Sequence, residues 1–261
     1  MPINSQSTRP ETSAAPNPAT LSTAVAALFP PGIAAAELRA PGDSSLLYPE
    51  EALSVANAVP KRRGEFAAGR LCARRALAEF GLSGFALKMA PDRVPLWPDS
   101  MVGSITHTQG FCAVVVAERR RFSALGLDVE AAGGVKRELW RHICGPAELH
   151  WLESLPPTSQ ASAATLIFSS KEAFYKCQYP LTRQRMNFAD LCVTVPAGDA
   201  RGGCGTGGQI IATPTRGLAI SAGREARFHG TFRLHEGYVL AGFSFPAVAS
   251  VIAPSAPAPR R

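Results

Sequence analysis

The sequence has no C-x-x-C pair and no long apolar run. Its six cysteines are spread along the chain at positions 72, 112, 144, 177, 192 and 204. This spacing argues against a zinc ribbon and against a small disulfide-bonded fold, and it favours a reducing compartment. No apolar stretch approaches the ~20 residues that span a bilayer, and the N-terminus lacks the basic region of a secretion signal. We therefore expect a cytoplasmic protein without a membrane anchor.

Acidic residues are fewer than basic ones. The 261-residue chain has 27 Lys and Arg against 20 Asp and Glu, which gives a formal net charge of +7, and its 46% apolar content is typical of a globular protein. A basic excess indicates an anionic partner, which could be a nucleic acid, a phosphorylated small molecule or an acidic protein surface. The composition does not choose among these three classes.

The two ends of the chain differ in composition from the part between them. Residues 1–20 and 247–261 are rich in Pro, Ser, Thr and Ala, and we predict that both tails are disordered. The remaining residues alternate between helical and strand patterns. Helices are predicted within 48–81, where Gly81 is the stop signal, and at 136–154 and 162–179. Strands are predicted at 101–107, 111–118, 123–130, 188–196, 208–213, 217–222, 226–235 and 237–245.

This order of helix followed by strands occurs twice, and an internal similarity accompanies it. "EFAAGRLCARRAL" and "IFSSKEAFYKCQY" align on Phe66 and Phe168, which places Arg70 opposite Glu172. A repeat of about a hundred residues would give two α+β lobes with a cleft between them. We expect an N-terminal lobe over 21–130 and a C-terminal lobe over 131–246.

Two carboxylates lie one residue apart in "GLDVE" (126–130). Because successive side chains of a strand alternate between its faces, Asp128 and Glu130 should point to the same side. They would repel each other unless a cation lies between them. One interpretation is an edge strand with a solvated acidic face, and the other is a pair of metal ligands. With no Cys or His nearby, an oxygen-only ligand set suits Mg²⁺ or Mn²⁺ better than zinc.

A third carboxylate lies in "SSKEAFYK" (169–176), on a predicted helix. Glu172 and Lys176 are four residues apart and share a helical face, whereas Lys171 is rotated by roughly 100° from Glu172. An exposed Glu–Lys pair of this kind is common and contributes little to stability. If the same face meets the "GLDVE" strand instead, Glu172 becomes a third metal ligand or a general base, and Lys176 can bind a phosphate.

Four motifs, "KRRGEFAAGR", "GSITH", "GLDVE" and "SSKEAFYK", occur together in an order and spacing that resembles the two-lobed 4'-phosphopantetheinyl transferases of siderophore and surfactin synthesis. "GLDVE" matches that family's G-x-D-x-E, and "SSKEAFYK" matches its (W/F)-(S/A)-x-K-E-x-x-x-K. The resemblance spans about residues 45–245. It implies an α+β fold of two pseudo-symmetric lobes, each a small and mostly antiparallel sheet packed on helices.

These enzymes transfer the phosphopantetheine arm of coenzyme A to a serine of an apo acyl or peptidyl carrier protein, with Mg²⁺, and release adenosine 3',5'-bisphosphate. The resemblance therefore implies coenzyme A as co-substrate, Mg²⁺ or Mn²⁺ as the metal, and a carrier of fatty-acid, polyketide or non-ribosomal peptide synthesis as the partner. It implies a monomer without a nucleic-acid or membrane partner. Leu139, Trp140 and Leu149 lie where relatives receive the carrier, although burial in the core suits them equally well.

Carried over by position, the resemblance implies that Asp128, Glu130 and Glu172 bind the metal, which bridges Asp128 to the pyrophosphate of coenzyme A. Lys176 would bind that pyrophosphate directly. Glu172 would also be the base, acting directly or through a metal-bound water, or Lys171 would orient it. The protein's acids and lysines at these positions would then form the catalytic centre.

The same resemblance implies a second group of contacts, to the adenosine bisphosphate end of coenzyme A. Thr106 would donate to a phosphate oxygen, and His107 would bind there and assist catalysis. Basic contacts would come from Arg62, Arg63, Arg70 and Arg93. The alternative for the arginines is a solvated basic face.

Two other functions fit parts of the pattern. A metal-dependent nuclease would also combine acids with a basic surface, but Ala131 and Ala132 follow Glu130 where such nucleases carry Glu-x-Lys. A non-catalytic module that binds coenzyme A or nucleic acid would leave the three carboxylates without a role.

Overall fold

The structure of the protein is a computed structural model, which describes residues 19–196, 206–220 and 226–247. The two predicted disordered tails lie outside the described residues, except for Ala19, Thr20 and Ala247. In the described part of the chain, no helix is long and apolar enough to cross a membrane. The five cysteines in this part are all free thiols.

The first lobe is a four-stranded antiparallel sheet covered by a long helix. Its strands, in the spatial order β1-β2-β4-β3, are β1 (Thr20–Leu21), β2 (Ile33–Leu38), β3 (Met101–Thr108) and β4 (Phe111–Glu118). Its helices are α1 (Thr23–Ala26), α2 (Pro49–Ala52) and α3 (Pro60–Ala78). The predicted strands at 101–107 and 111–118 are confirmed, whereas β2 had no clear pattern in the sequence.

Helix α3 forms where the sequence predicts a helix. Pro60 occupies its first position, where the missing N–H costs no helical hydrogen bond. Phe66, Ala73 and Leu77 are buried, and the helix packs against β2 and β4. The packed face therefore fixes the helix on the sheet and leaves its arginine-bearing flank at one side of the lobe.

The second lobe is a five-stranded antiparallel sheet with the order β5-β9-β8-β7-β6. The strands are β5 (Phe122–Ala131), β6 (Leu191–Thr194), β7 (Gly207–Pro214), β8 (Phe228–His235) and β9 (Tyr238–Pro246). The helices are α4 (Trp140–Ile143), α5 (Pro146–Ser154) and α6 (Pro157–Thr182). Two antiparallel sheets packed with helices confirm the predicted two-lobed α+β fold.

Two details of the second lobe differ from the sequence predictions. Strand β5 pairs with β9 over most of its length, so the two sheets divide at the turn 119–121 and not after Glu130. The boundary predicted between 130 and 131 therefore falls inside a strand. The strand predicted at 217–222 is wrong where it can be checked, because 217–220 form a loop and a turn.

Helix α6 lies directly on strand β5. A Cβ atom on Gly126 would lie only 2.0 Å from the backbone oxygen of Ala173, so the contact requires a residue without a side chain. Beside it, the ring of Phe174 packs against those of Phe228 and Phe243. This packing holds α6, with Glu172 and Lys176, over the strand that carries "GLDVE".

The two lobes meet where edge strand β3 lies beside edge strand β5. Side-chain hydroxyls take part in this junction: the backbone N–H of Leu127 donates to Ser104 Oγ (3.0 Å), and that of Val129 donates to Thr106 Oγ1 (3.2 Å). Alternate residues of β3 face β5 because side chains alternate along a strand. The junction places "GSITH" next to "GLDVE".

Candidate active site

Asp128 is the central residue of the junction between the lobes. It is only 3% exposed, so the interpretation of a solvated acidic face does not apply to it. Its Oδ1 accepts hydrogen bonds from Lys176 Nζ (2.6 Å) and Thr106 Oγ1 (3.2 Å). Its Oδ2 is buried and has no hydrogen-bond partner among the described residues. Because a buried oxygen left unpaired is costly, this oxygen is suited to receive a cation.

Glu130 and Glu172 share the electrostatic environment of Asp128. Burial, and then the charge of Asp128, raises the pKa of Glu130 to about 7, while Lys176 acts in the opposite direction. The same causes, burial first and Asp128 second, raise the pKa of Glu172, again opposed by Lys176. Glu172 also raises the pKa of Glu130. The three predicted ligands therefore repel one another, and Lys176 is the cation that relieves this repulsion.

The donor set fits a hard cation, although the residues do not form a complete metal site. All three side chains offer oxygen ligands of the kind that Mg²⁺ prefers, and Asp128 Oδ2 is unpaired. In the part of the chain that the structure describes, no three His, Cys, Asp or Glu side chains are grouped closely enough to hold a metal ion. Metal binding by Asp128, Glu130 and Glu172 therefore stays a prediction.

His107 and Arg62 continue the site towards helix α3. Arg62 Nη1 lies 3.0 Å from His107 Nε2 and 3.6 Å from Glu65 Oε2. Although part of the ring is exposed, burial of the remainder lowers the pKa of His107. Arg62 and Lys176 lower this pKa further, while Glu65 and Asp128 oppose them. We therefore expect a mostly neutral imidazole at pH 7 in the ligand-free protein.

Lys171 makes its hydrogen bonds to residues other than Glu172, its neighbour in the sequence. Its ammonium group is buried in the second lobe and donates to Glu148 Oε2 (2.7 Å) and to the backbone oxygens of Ile143 (2.8 Å) and Phe188 (2.9 Å). These bonds use all three of its N–H donors. The structure therefore gives no support to the predicted role of Lys171 in orienting Glu172 or in catalysis.

A cavity of about 730 Å³ opens between the lobes, beside Lys176. Of the described residues that line it, seven are basic and two are acidic. The basic residues are Arg62, Arg70, Arg93, Arg119, Lys176, Arg183 and Arg185, and the acidic ones are Glu65 and Asp92. This excess of positive charge in a concave space attracts a ligand with several negative charges.

Three of the four predicted arginines line the cavity. Arg70 is buried, stacks on Phe66 with 3.7 Å to the ring centroid, and donates from Nε to the Leu87 oxygen (2.9 Å). Burial lowers the pKa of Arg70 to about 10, and its Nη2 has no partner among the described residues. Arg93 adopts a left-handed conformation with φ of 70°. Arg63 does not line the cavity.

Comparisons with known proteins agree with this geometry. A model of the 4'-phosphopantetheinyl transferase N-terminal domain matches residues 49–117, and one of the 4'-phosphopantetheinyl transferase superfamily matches residues 124–211. The chain belongs to the 4'-phosphopantetheinyl transferase superfamily. The two matched segments lie on either side of the turn at which the sheets divide.

Individual 4'-phosphopantetheinyl transferases are similar to the chain across both lobes. Svp of Streptomyces mobaraensis is 36% identical over 83% of this chain and 86% of its own length. Npt of Nocardia iowensis is 31% identical over 84% of this chain and 98% of its own length. PptT of Mycobacterium tuberculosis is 35% identical over 67% of this chain and 78% of its own length. The protein is thus an enzyme of this class, and the nuclease and non-catalytic module have no support.

The transferase also has a link across the cleft that the motifs do not indicate. Asp92 Oδ2 accepts hydrogen bonds from Arg183 Nη1 (2.6 Å) and from the Tyr179 hydroxyl (3.3 Å). Asp92 lies in a turn of the first lobe, next to Arg93, whereas its partners lie at the end of α6. The resemblance predicts that Arg93 of "PDRVPLWP" faces coenzyme A, but no local pattern pairs positions 91 residues apart.

Glu172 lines a second cavity of the transferase, of about 500 Å³. His142 and Phe188 also line this space, and Tyr175 lines both cavities. Lys176 faces the first cavity and Glu172 the second. Two adjoining spaces are therefore available on either side of one turn of α6.

Of the residues predicted to meet a carrier or to lie in the core, two are in the core. Trp140 is buried and donates its indole N–H to the Val135 oxygen (3.2 Å), and Leu149 packs against the core of the second lobe. Leu139 is 48% exposed, so it is the member of this group that is placed to contact a partner.

Proposed function

We propose that this enzyme transfers the 4'-phosphopantetheine arm of coenzyme A to a serine of an apo acyl or peptidyl carrier protein. The reaction depends on Mg²⁺ and releases adenosine 3',5'-bisphosphate. The observation that carries the proposal is the Asp128–Lys176 pair, with its unpaired carboxylate oxygen, beside a cation-lined cavity between the lobes. Family membership and the three relatives named 4'-phosphopantetheinyl transferase support it.

Asp128, Glu130 and Glu172 are the proposed ligands of the metal. Bound Mg²⁺ would neutralise negative charge on the pyrophosphate of coenzyme A. The oxygen that supports this assignment best is Oδ2 of Asp128, which is buried without a partner in the described part of the chain. The raised pKa values of Glu130 and Glu172 also support it, because a divalent cation relieves the repulsion that causes part of the shift.

The remainder of coenzyme A is proposed to occupy the cavity between the lobes. Its volume of about 730 Å³ lies within the usual range for small-molecule sites, about 300–1,000 Å³. Lys176 is placed to bind the pyrophosphate, and Arg62, Arg70 and Arg93 to bind the adenosine bisphosphate end. The free Nη2 of Arg70 would gain a partner from a phosphate or ribose oxygen, which removes the cost of a buried, unpaired donor.

Glu172 is the proposed base. Burial, the first cause of its raised pKa, brings the carboxylate closer to the range in which it can accept a proton at neutral pH, and the second cavity gives a serine hydroxyl access to it. The serine oxygen bonds to the β-phosphorus while its proton goes to Glu172. The bond from that phosphorus to the bridging oxygen breaks, and the electron pair leaves with adenosine 3',5'-bisphosphate. Lys176 stabilises the charge on this leaving group.

Both sides of the cleft come from one chain, so we propose that the enzyme acts as a monomer. It acts in the cytoplasm, on carrier proteins and not on nucleic acids or membranes. The basic residues of the cleft explain much of the protein's excess positive charge, because they bind the phosphates of coenzyme A.

Mass spectrometry of an apo carrier incubated with the protein, coenzyme A and Mg²⁺ tests the proposal. We expect one phosphopantetheine arm on the carrier serine, and no product when EDTA is present. Glu172→Gln should abolish transfer, while Glu79→Gln, an equal charge change at the end of α3, should retain it. Failure to modify any of several fatty-acid, polyketide and peptide carriers with Mg²⁺ or Mn²⁺ would refute the function. The carrier modified fastest identifies the pathway.

A further inference from the structure

We propose that Thr106 is a positioning residue that orients the carboxylate of Asp128 for metal binding. This inference rests on the proposed function, since it takes Asp128 to be a metal ligand. It differs from the role that the sequence motif implies for Thr106, which is a hydrogen bond to a phosphate of coenzyme A.

The Thr106 hydroxyl makes all of its hydrogen bonds within the protein. Its oxygen accepts from the Val129 N–H (3.2 Å) and from Lys176 Nζ (3.4 Å), and its hydrogen goes to Oδ1 of Asp128 (3.2 Å). One hydrogen and two lone pairs are all that a hydroxyl can offer. Thr106 is 3% exposed, and it does not line the cavity, although its neighbours Ile105 and His107 do. The hydroxyl is therefore turned towards the carboxylate and away from the coenzyme site.

These hydrogen bonds determine which carboxylate oxygen of Asp128 is free to bind a metal ion. The terminal torsion of an aspartate is broad, so an unrestrained carboxylate rotates readily. Here Thr106 and Lys176 both hold Oδ1, while Oδ2 is buried and has no partner in the described part of the chain. Rotation would break both bonds to Oδ1. Thr106 therefore fixes the carboxylate with Oδ2 free, and hydrogen bonds that orient a ligand in this way typically change metal affinity about 10–100-fold.

Strand β3 also supplies a matched control. Ser104 makes the same kind of bond two residues earlier, where its Oγ accepts the Leu127 N–H at 3.0 Å. No carboxylate is among the partners recorded for Ser104 in the described part of the chain. Replacing Ser104 by Ala therefore weakens the junction between the lobes without removing a bond to Asp128. Because Ser104, unlike Thr106, lines the cavity, the effect of this variant on coenzyme A affinity is measured separately, and its Mn²⁺ affinity separates a loss of packing from a loss of orientation.

The test measures Mn²⁺ binding and coenzyme A binding separately in Thr106→Val, Thr106→Ser and Ser104→Ala. Mn²⁺ affinity is read from the paramagnetic resonance signal of the free ion with coenzyme A at saturation, and coenzyme A affinity by calorimetry in EDTA. We expect Thr106→Val to weaken Mn²⁺ binding about 10–100-fold with little change in metal-free coenzyme A affinity. Thr106→Ser and Ser104→Ala should both bind Mn²⁺ nearly as the wild type does.

Thermal unfolding establishes that each variant is folded, and Thr106→Ala replaces Thr106→Val if valine is not accommodated. Unchanged Mn²⁺ affinity without the hydroxyl overturns the inference, and so does an equal loss in Ser104→Ala. A loss of coenzyme A affinity in EDTA would also overturn it and assign Thr106 to a phosphate. If the wild type transfers the arm while Thr106→Val binds Mn²⁺ normally, only the positioning role fails. If the wild type neither binds Mn²⁺ nor transfers the arm, the proposed function fails with it.

Discussion

Lys176 on helix α6 and Asp128 on strand β5 form an ion pair of 2.6 Å at the junction of the two lobes. The Asp128 side chain is only 4% exposed, and Lys176 also lies 3.3 Å from the Leu127 oxygen. The pair therefore differs from exposed ion pairs, whose contribution is small. It joins the residue that faces the cavity to the residue with the unpaired oxygen, so the proposed anion site and the proposed cation site share one contact.

Replacing Lys176 with Met removes this positive charge and keeps the apolar part of the side chain. Because the ammonium is proposed to stabilise charge that develops on the leaving group, we expect kcat for transfer to fall about 10²–10³-fold. Steady-state assays with an apo carrier measure the change. Lys88→Met, an exposed lysine that does not line the cavity, should leave kcat unchanged. A Lys176→Met enzyme with the wild-type kcat would contradict the assignment.

The raised pKa of Glu130 predicts how stability depends on pH. The unfolded chain releases this proton near pH 4.5, whereas the folded, ligand-free protein holds it up to about pH 7. The folded state therefore binds more protons in this window, and its stability falls as the pH rises through it. Glu130→Gln, which cannot ionise, should equal the wild type below pH 4.5 and be more stable above pH 7. Thermal melts in EDTA measure the difference.

Glu153→Gln, on the exposed side of α5, is the control for Glu130→Gln and should show no such trend. A Glu130→Gln variant that is less stable than the wild type at pH 8 would mean that ionised Glu130 stabilises the ligand-free fold. Mg²⁺ with coenzyme A should reverse the slope for the wild type, because a metal ligand must be ionised.

His107 is expected to gain a proton when the coenzyme binds. Burial and the nearby cations lower the pKa of this imidazole in the ligand-free protein, and a phosphate dianion beside it would favour the charged form. Nuclear magnetic resonance of the His107 ring, assigned with His107→Gln, should show a pKa below the usual 6.5 that rises when adenosine 3',5'-bisphosphate is added. A pKa that stays the same would place the bisphosphate away from His107.

The buried Lys171–Glu148 pair should contribute to folding. Both side chains are 2% exposed, and removal of one partner from such a pair leaves an uncompensated charge. We expect Lys171→Met to lower the free energy of unfolding by about 3–5 kcal/mol, measured by urea denaturation. Glu79→Gln, which breaks an exposed pair with Arg75, should cost about 1 kcal/mol or less. A Lys171→Met protein that is as stable as the wild type but inactive would instead support the predicted catalytic role of Lys171.

The sequence predicts the strands and helices that carry the site more accurately than it predicts their partners. Strands β3, β4 and β5 and helices α3 and α6 were expected from β-branched runs and from helical spacing, and the motifs on them do meet. Strand β2 was missed because "IAAAEL" has little β-branched content, and its pairing with β4 comes from the rest of the sheet.

Adjacent residues show why partners are harder to predict. Lys171 and Glu172 differ by one position and line the same cavity, yet the ammonium of Lys171 pairs with Glu148 in the core of the second lobe, whereas Glu172 interacts electrostatically with Asp128. Helical spacing separates their directions by roughly 100° but does not say which direction faces strand β5. That choice depends on where the helix sits on the sheet, which is a property of the whole fold. The Asp92–Arg183 link depends on the same long-range placement.

Gly126, the first residue of "GLDVE", lets helix α6 pack directly on the backbone of strand β5. A single methyl group at Gly126 would meet the Ala173 oxygen at 2.0 Å, so any other residue would push α6 away from β5. The absence of a Cβ atom at Gly126 therefore helps to set the distance between Lys176 on the helix and Asp128 on the strand. The distance between the helix and the strand in this site therefore depends on a backbone contact at Gly126, two residues before Asp128.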